Sequence, residues 1–136
     1  MSVGVEGEVP IVIESDIVIA RRTVREVATQ VGFGSTEVTR IVTAASELAR
    51  NIFQYAGQGS MHWRPLRENG RSGLELMFLD KGPGIADVDL ALQEGYSNGK
   101  GLGLGLPGAK RLMDEMAIQS KPAQGTKITV KKWRKP

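Results

Sequence analysis

The sequence predicts an α+β fold, a two-layer sandwich in which one mostly antiparallel sheet carries its helices on one face. Three observations lead to it. Two long segments repeat apolar residues at helical spacing, short β-branched runs sit in pairs around turn residues, and the two kinds of segment mix without the strict strand–helix alternation of a parallel sheet. The 136 residues suit a single domain over 1–136. A chain of that length hides roughly two thirds of its unfolded surface, enough for a real core.

Val9 to Glu14 (VPIVIE) reads as the first strand. Ser15 or Asp16 then caps a helix whose apolar positions Ile17, Ile19, Ala20, Val24 and Val27 lead to a stop at Gly32. Ser35 is placed to cap a second helix. Its apolar residues from Val38 through Ile41, Val42, Ala45, Leu48 and Ala49 to Ile52 recur at i, i+3, i+4, i+7, and Gly57 ends it. Ser60 to Leu66 and Leu74 to Leu79 are strands around the hairpin signal Asn69-Gly70. A long connection from Asp80 to Gly105 follows, of a length that is usually functional or disordered. Leu106 to Met116 reads as a third helix with Pro107 in its first turn, and Ala117 to Ser120 with Thr126 to Trp133 as a closing hairpin.

Composition narrows the function classes. With 40% hydrophobic and 24% charged residues the chain is ordinary for a soluble domain, so its 17 glycines are the departure that needs a reason. The absence of cysteine excludes a disulfide framework, a thiolate metal site and a thiol nucleophile. MSVGVEGEVPIVIE has no basic region followed by an apolar one, and nowhere do about 18 apolar residues run together, so a cytoplasmic protein with no membrane partner is expected. The basic end, Lys127, Lys131, Lys132, Arg134 and Lys135, reads as a strand edge blunted by charge or as a lure for an acidic partner. Aromatics at 5% are too sparse for base-stacking platforms, and no nucleic-acid partner is expected.

Four short motifs carry candidate chemistry. GKGLGLGLPGAKRLMDE puts five glycines within ten residues just before a helix. Gly103 to Gly108 matches G-x-G-x-x-G literally, but no strand precedes it and no acid follows between Lys121 and Pro136, which rules out the dinucleotide fingerprint. Gly99-Lys100 is followed by Gly101, not Ser or Thr, so a Walker A loop fails too. What remains is an anion site of backbone N–H groups, or a plain surface loop. In SELARNIFQYA, Glu47 and Asn51 lie one turn apart on a face opposite the apolar stripe, either as solvated surface or as a carboxylate base beside a neutral oxygen ligand suited to Mg²⁺. Asp80-Lys-Gly-Pro-Gly84 ends a strand with an acceptor able to read an exocyclic amine such as adenine's, and also fits a simple turn. Gly125-Thr126, before the last strand, says little alone.

In order, Glu47…Asn51, Asp80-x-Gly-x-Gly84, Gly101-x-Gly-x-Gly105 and Gly125-Thr126 resemble the N, G1, G2 and G3 boxes of the histidine-kinase-like ATPase (GHKL) superfamily. DIVIARRTVREVATQVGFG, SELARNIFQYAG, DKGPGI and GLGLGLPGAKRLMDE together look like the RsbT-type switch serine-protein kinases of the bacterial stressosome. The resemblance implies ATP and Mg²⁺ as cofactors and phosphoryl transfer to Ser or Thr of STAS-domain scaffold and antagonist proteins. It implies Glu47 as general base, Asn51 as Mg²⁺ ligand, Asp80 as adenine reader with Gly82 and Gly84 as its loop, Gly101, Gly103 and Gly105 as a phosphate-side lid, and Thr126 as the hydroxyl near the base. Lys100 falls outside the family pattern, and the cation that meets the transferred phosphoryl is unassigned. His62 alternates with Met61 and Trp63 in a strand, whereas a sensor histidine kinase carries its phosphoacceptor on a dimerisation helix for which the chain has no room. The same superfamily also contains anti-sigma factor kinases, and RsbT-type proteins dock onto and activate PP2C-type phosphatases. Both roles stand as alternatives.

Overall fold

A computed structural model describes residues 6–84 and 106–135. The elements are β1 (Gly7–Ile11), α1 (Ser15–Val31), α2 (Ser35–Asn51) running into a π turn (Ile52–Ala56), β2 (Gly59–Glu68), β3 (Arg71–Asp80), α3 (Leu106–Leu112), β4 (Glu115–Ser120) and β5 (Thr126–Trp133). The five strands form one sheet in the order β1-β2-β3-β5-β4 with every neighbouring pair antiparallel. This is the predicted α+β sandwich.

Register explains why the helices gather on one face. Val9 pairs with Met61, Met61 with Phe78 and Phe78 with Ile128, so one row of apolar side chains points the same way across four strands. Those residues share a buried cluster with Ala20, Val24 and Val27 of α1, with Ile41, Ala45 and Leu48 of α2, and with Leu106 and Ala109 of α3. The apolar periodicity of both long helices is thus consumed by a single core. Helix α1 ends as expected at Gly32, in the left-handed conformation with φ 107°. The β2–β3 hairpin turns through Asn69 and Gly70, both at positive φ (52° and 77°), the geometry of a type I′ turn.

The structure corrects several local expectations. The first strand stops at Ile11 instead of Glu14, because the Asp16 carboxylate accepts hydrogen bonds from the N–H groups of Val12 (2.9 Å) and Ile13 (3.0 Å) and turns the chain away from the sheet. Asp16 therefore staples the corner before α1 and does not cap its first turn, and Ser35 opens α2 behind an extended Gly34. Ile19, expected on the buried stripe, is 46% exposed. The third helix ends at Leu112, not Met116. There the Asp114 N–H donates to the Lys131 carbonyl and the Trp133 N–H to the Asp114 carboxylate, while Lys132 Nζ donates to the Leu112 carbonyl at 2.8 Å. Pairing with β5 outcompetes another helical turn.

Candidate functional site

Asp80 ends β3 and Thr126 begins β5, and the two are direct register partners. The Asp80 carboxylate accepts hydrogen bonds from the Gly82 N–H, at 2.9 Å, and from the Thr126 N–H. Burial pushes its carboxyl up from the usual 3.8, and the two N–H bonds only partly oppose this. The Ser120 hydroxyl donates to the Gly125 carbonyl at 3.0 Å and lies 2.8 Å from the Thr126 hydroxyl, which ties the start of β5 to the end of β4. The result is a carboxylate at a strand end with an anchored hydroxyl beside it.

The loop after Asp80 is fixed on both sides. A Cβ on Gly82 would sit 2.5 Å from the Ala56 Cβ, so only glycine lets this loop lie against the π turn at the end of α2. Gly84 holds φ 76°, and a Cβ there would strike the Lys121 carbonyl. Next to it the Ala123 N–H donates to the Pro83 carbonyl at 2.7 Å. The expected adenine loop is thereby sewn to the β4–β5 turn.

Asn51 is the last residue of α2, partly buried, and the π turn begins at the next residue with the Gly57 N–H on the Ile52 carbonyl at 2.9 Å. Such turns recur at functional positions in helices. Within it the Tyr55 hydroxyl is buried and has no hydrogen-bond partner among the described residues, a polar atom that a bound molecule could satisfy. The π turn, the Asp80 loop and the β4–β5 turn therefore meet, bringing Asp80, Gly82, Gly84 and Thr126 together at one end of the sheet, with Ala56 of the π turn against Gly82.

Glu47 shares a helix with Asn51. One turn back along α2, it lines a groove of about 340 Å³ between α1 and α2, with Arg21, Arg25 and Arg50 around it and Arg50 Nη1 at 3.7 Å from its carboxylate. This concentration of arginines was not anticipated. Its signal was present in the sequence as Arg21 and Arg25 four apart on one helix and Arg50 three after Glu47, but only helix packing shows that they converge. Gly101, Gly103, Gly105 and Lys100 lie outside the described residues. Among the described residues no group of three or more His, Cys, Asp or Glu side chains gathers as for a metal. His62 occupies β2 as expected, 3.0 Å from the Ser60 hydroxyl and 3.5 Å from Glu8.

A second pocket, of about 980 Å³, opens at the same end of the sheet. Asp80 and Thr126 line it, together with Ser60, Leu79, Gln119 and Lys127, which alternate to the face away from the helices. Neither Glu47 nor Asn51 reaches it.

Comparison with known proteins bears on the fold and the family. The profile of the histidine kinase-like ATPase domain matches residues 14–132. The chain is 47% identical over 125 residues to the serine/threonine-protein kinase RsbT of Bacillus subtilis, covering 92% of this chain and 94% of that one. It is 34% identical over 120 residues to the anti-sigma F factor of Halalkalibacterium halodurans, covering 83% and 81%. Among solved structures, the RsbU and RsbW domains of Rv1364c from Mycobacterium tuberculosis superpose with a TM-score of 0.64 at 17% identity. That match covers 96% of this chain and 33% of that one, and at such identity it speaks for the fold alone. The profile match over most of the chain and the 47% identity make the chain a member of the histidine kinase-like ATPase family.

Proposed function

We propose that this chain is an ATP-dependent serine/threonine protein kinase that phosphorylates STAS-domain scaffold and antagonist proteins in a cytoplasmic stressosome switch. The observation that supports the reading is the packing of Gly82 on Ala56, which sets the π turn after Asn51 against the Asp80 loop, in a chain 47% identical to a serine/threonine-protein kinase. Asp80 accepts the exocyclic amine of adenine, and the Thr126 hydroxyl stands beside the base. Asn51 offers the neutral oxygen that Mg²⁺ uses when it keeps its waters and phosphates as its other ligands. Bound there, the ion would neutralise phosphate charge.

The remaining work falls to groups on α1 and α2. Glu47 takes the proton of the acceptor hydroxyl as its oxygen bonds to the γ-phosphorus and ADP departs. Arg21, Arg25 and Arg50 supply positive charge in the same groove, the cationic contact that the motifs left unassigned. Gly101, Gly103 and Gly105 serve as the phosphate-side lid. The 34% identity to an anti-sigma F factor supports a second reading, in which the protein also holds a sigma factor. Docking onto a PP2C-type phosphatase is compatible with both.

Labelled ATP, Mg²⁺ and candidate STAS proteins test the proposal: phosphoserine or phosphothreonine should form on the partner. Glu47→Gln should keep nucleotide affinity and slow transfer about 10²- to 10⁴-fold. Transfer at the wild-type rate would remove Glu47 from the role of base.

A further inference from the structure

The pocket of about 980 Å³ has a floor that the nucleotide reading does not use. Ser60, Leu79, Lys127 and Gln119 are successive register partners across β2, β3, β5 and β4, a row on the face opposite the helices. Four strands about 4.8 Å apart make the row about 14 Å long, the reach of roughly four extended residues. The loops at the strand ends add Lys81, Lys121 and the amides of Gln58 and Gln124.

Its charge is one-sided. Lys81, Lys121 and Lys127 make no ion pair among the described residues, and the single acid in the lining, Asp80, already accepts two backbone N–H groups. The wall contains neither arginine for bidentate phosphate recognition nor an aromatic ring for base stacking. Compact ammonium charges alternate instead with amides able to bond a peptide backbone.

Val12 extends this wall into an apolar corner. Val12 and Ile13 before α1, and Val18 and Ile19 within its first two turns, are 51%, 58%, 50% and 46% exposed, and the Asp16 carboxylate holds the corner in place. Large aliphatic groups kept outward next to a cationic groove fit a protein chain better than a polynucleotide.

We propose that this groove and corner dock an acidic, extended segment of the protein substrate, with an aliphatic side chain seated on Val12 and Ile13. The proposal rests on the kinase reading for the identity of its occupant. It places the substrate's anchor on the outer face, behind the strand ends that carry Asp80 and Thr126.

The test uses the full-length chain and a fluorescein-labelled twelve-residue peptide of Asp and Glu with one Leu and one Ser, followed by anisotropy at 50 mM salt. The wild type should bind it. Lys121→Glu/Lys127→Glu, two surface changes that leave the core intact, should weaken binding more than about tenfold by replacing attraction with repulsion. Ile13→Ser should weaken it about threefold, and ATP affinity should be the same in all three proteins. Undiminished binding by the lysine variant, no binding by the wild type, or equal competition by an oligo-dT of the same length would overturn the proposal. ATP failing to bind a wild type that still holds the peptide would instead refute the kinase reading and leave the groove standing.

Discussion

Along β3 the even-numbered Leu74, Leu76 and Phe78 lie beneath the helices, each at most 2% exposed, while the odd-numbered Glu75, Met77 and Leu79 face the other way. Outside, Glu75 is also nearly covered, at 7%, but by Arg64 at 3.2 Å and Lys131 at 3.9 Å. One face is sealed by area removed from water, the other by charged side chains laid over a charge. The first kind of cover is strong and unforgiving. The second is weak, screened by salt and easily displaced by another molecule, as the proposed docking of a substrate on this face requires. Asp80 and Thr126 continue the inner rows to the end of the sheet, and Lys127 continues the outer one.

Substitutions on the two faces should differ accordingly. Phe78→Ala removes a ring packed between Met61 and Ile128 and should lower unfolding free energy by about 3–5 kcal/mol in urea titration. Asp80→Asn should cost about 1.5–3 kcal/mol of ATP binding, roughly 10- to 150-fold in Kd by calorimetry. The same change should not destabilise the free protein at neutral pH. Burial lifts the Asp80 carboxyl above 3.8, so the folded state keeps its proton to higher pH than the unfolded chain does. The stability this residue contributes is complete below the unfolded value and is lost as pH rises through the folded one. Urea midpoints across that range should show Asp80→Asn gaining on the wild type as pH rises. Glu75→Gln, which breaks only the ionic cover, should cost less than about 1 kcal/mol and lose even that in high salt. A Glu75→Gln penalty equal to that of Phe78→Ala would erase the distinction between the faces.

The long helices were legible because seventeen residues of apolar period leave little choice of face, and Asn69-Gly70 named its own turn. The end of α3 was not, since Asp114 and Glu115 suit a helix locally and are drawn out of it only by bonds to β5, remote in sequence. The same holds for the site. Asp80, Gly82 and Thr126 could be picked out by motif, and the structure brings them to the end of the Asn51 helix. The contact that joins them, Gly82 on Ala56, depends on a π turn that no residue pattern announces. The arginines around Glu47 escaped for a related reason, because two come from a different helix from the third.

That turn also sets the length of the chain at one place. An α-helix advances about 100° per residue, and the five residues from Ile52 to Ala56 take one wider ring in its stead. Deleting any one of them would let an ordinary helical ring close and would deliver Gly59 to β2 out of phase. Because side chains alternate along a strand, a slip of one position would send Ser60, His62 and Arg64 into the core and Met61 into solvent. Single-codon deletions between Ile52 and Ala56 should therefore abolish folding, whereas the same lesion at the Asn69-Gly70 tip should only reshape a hairpin.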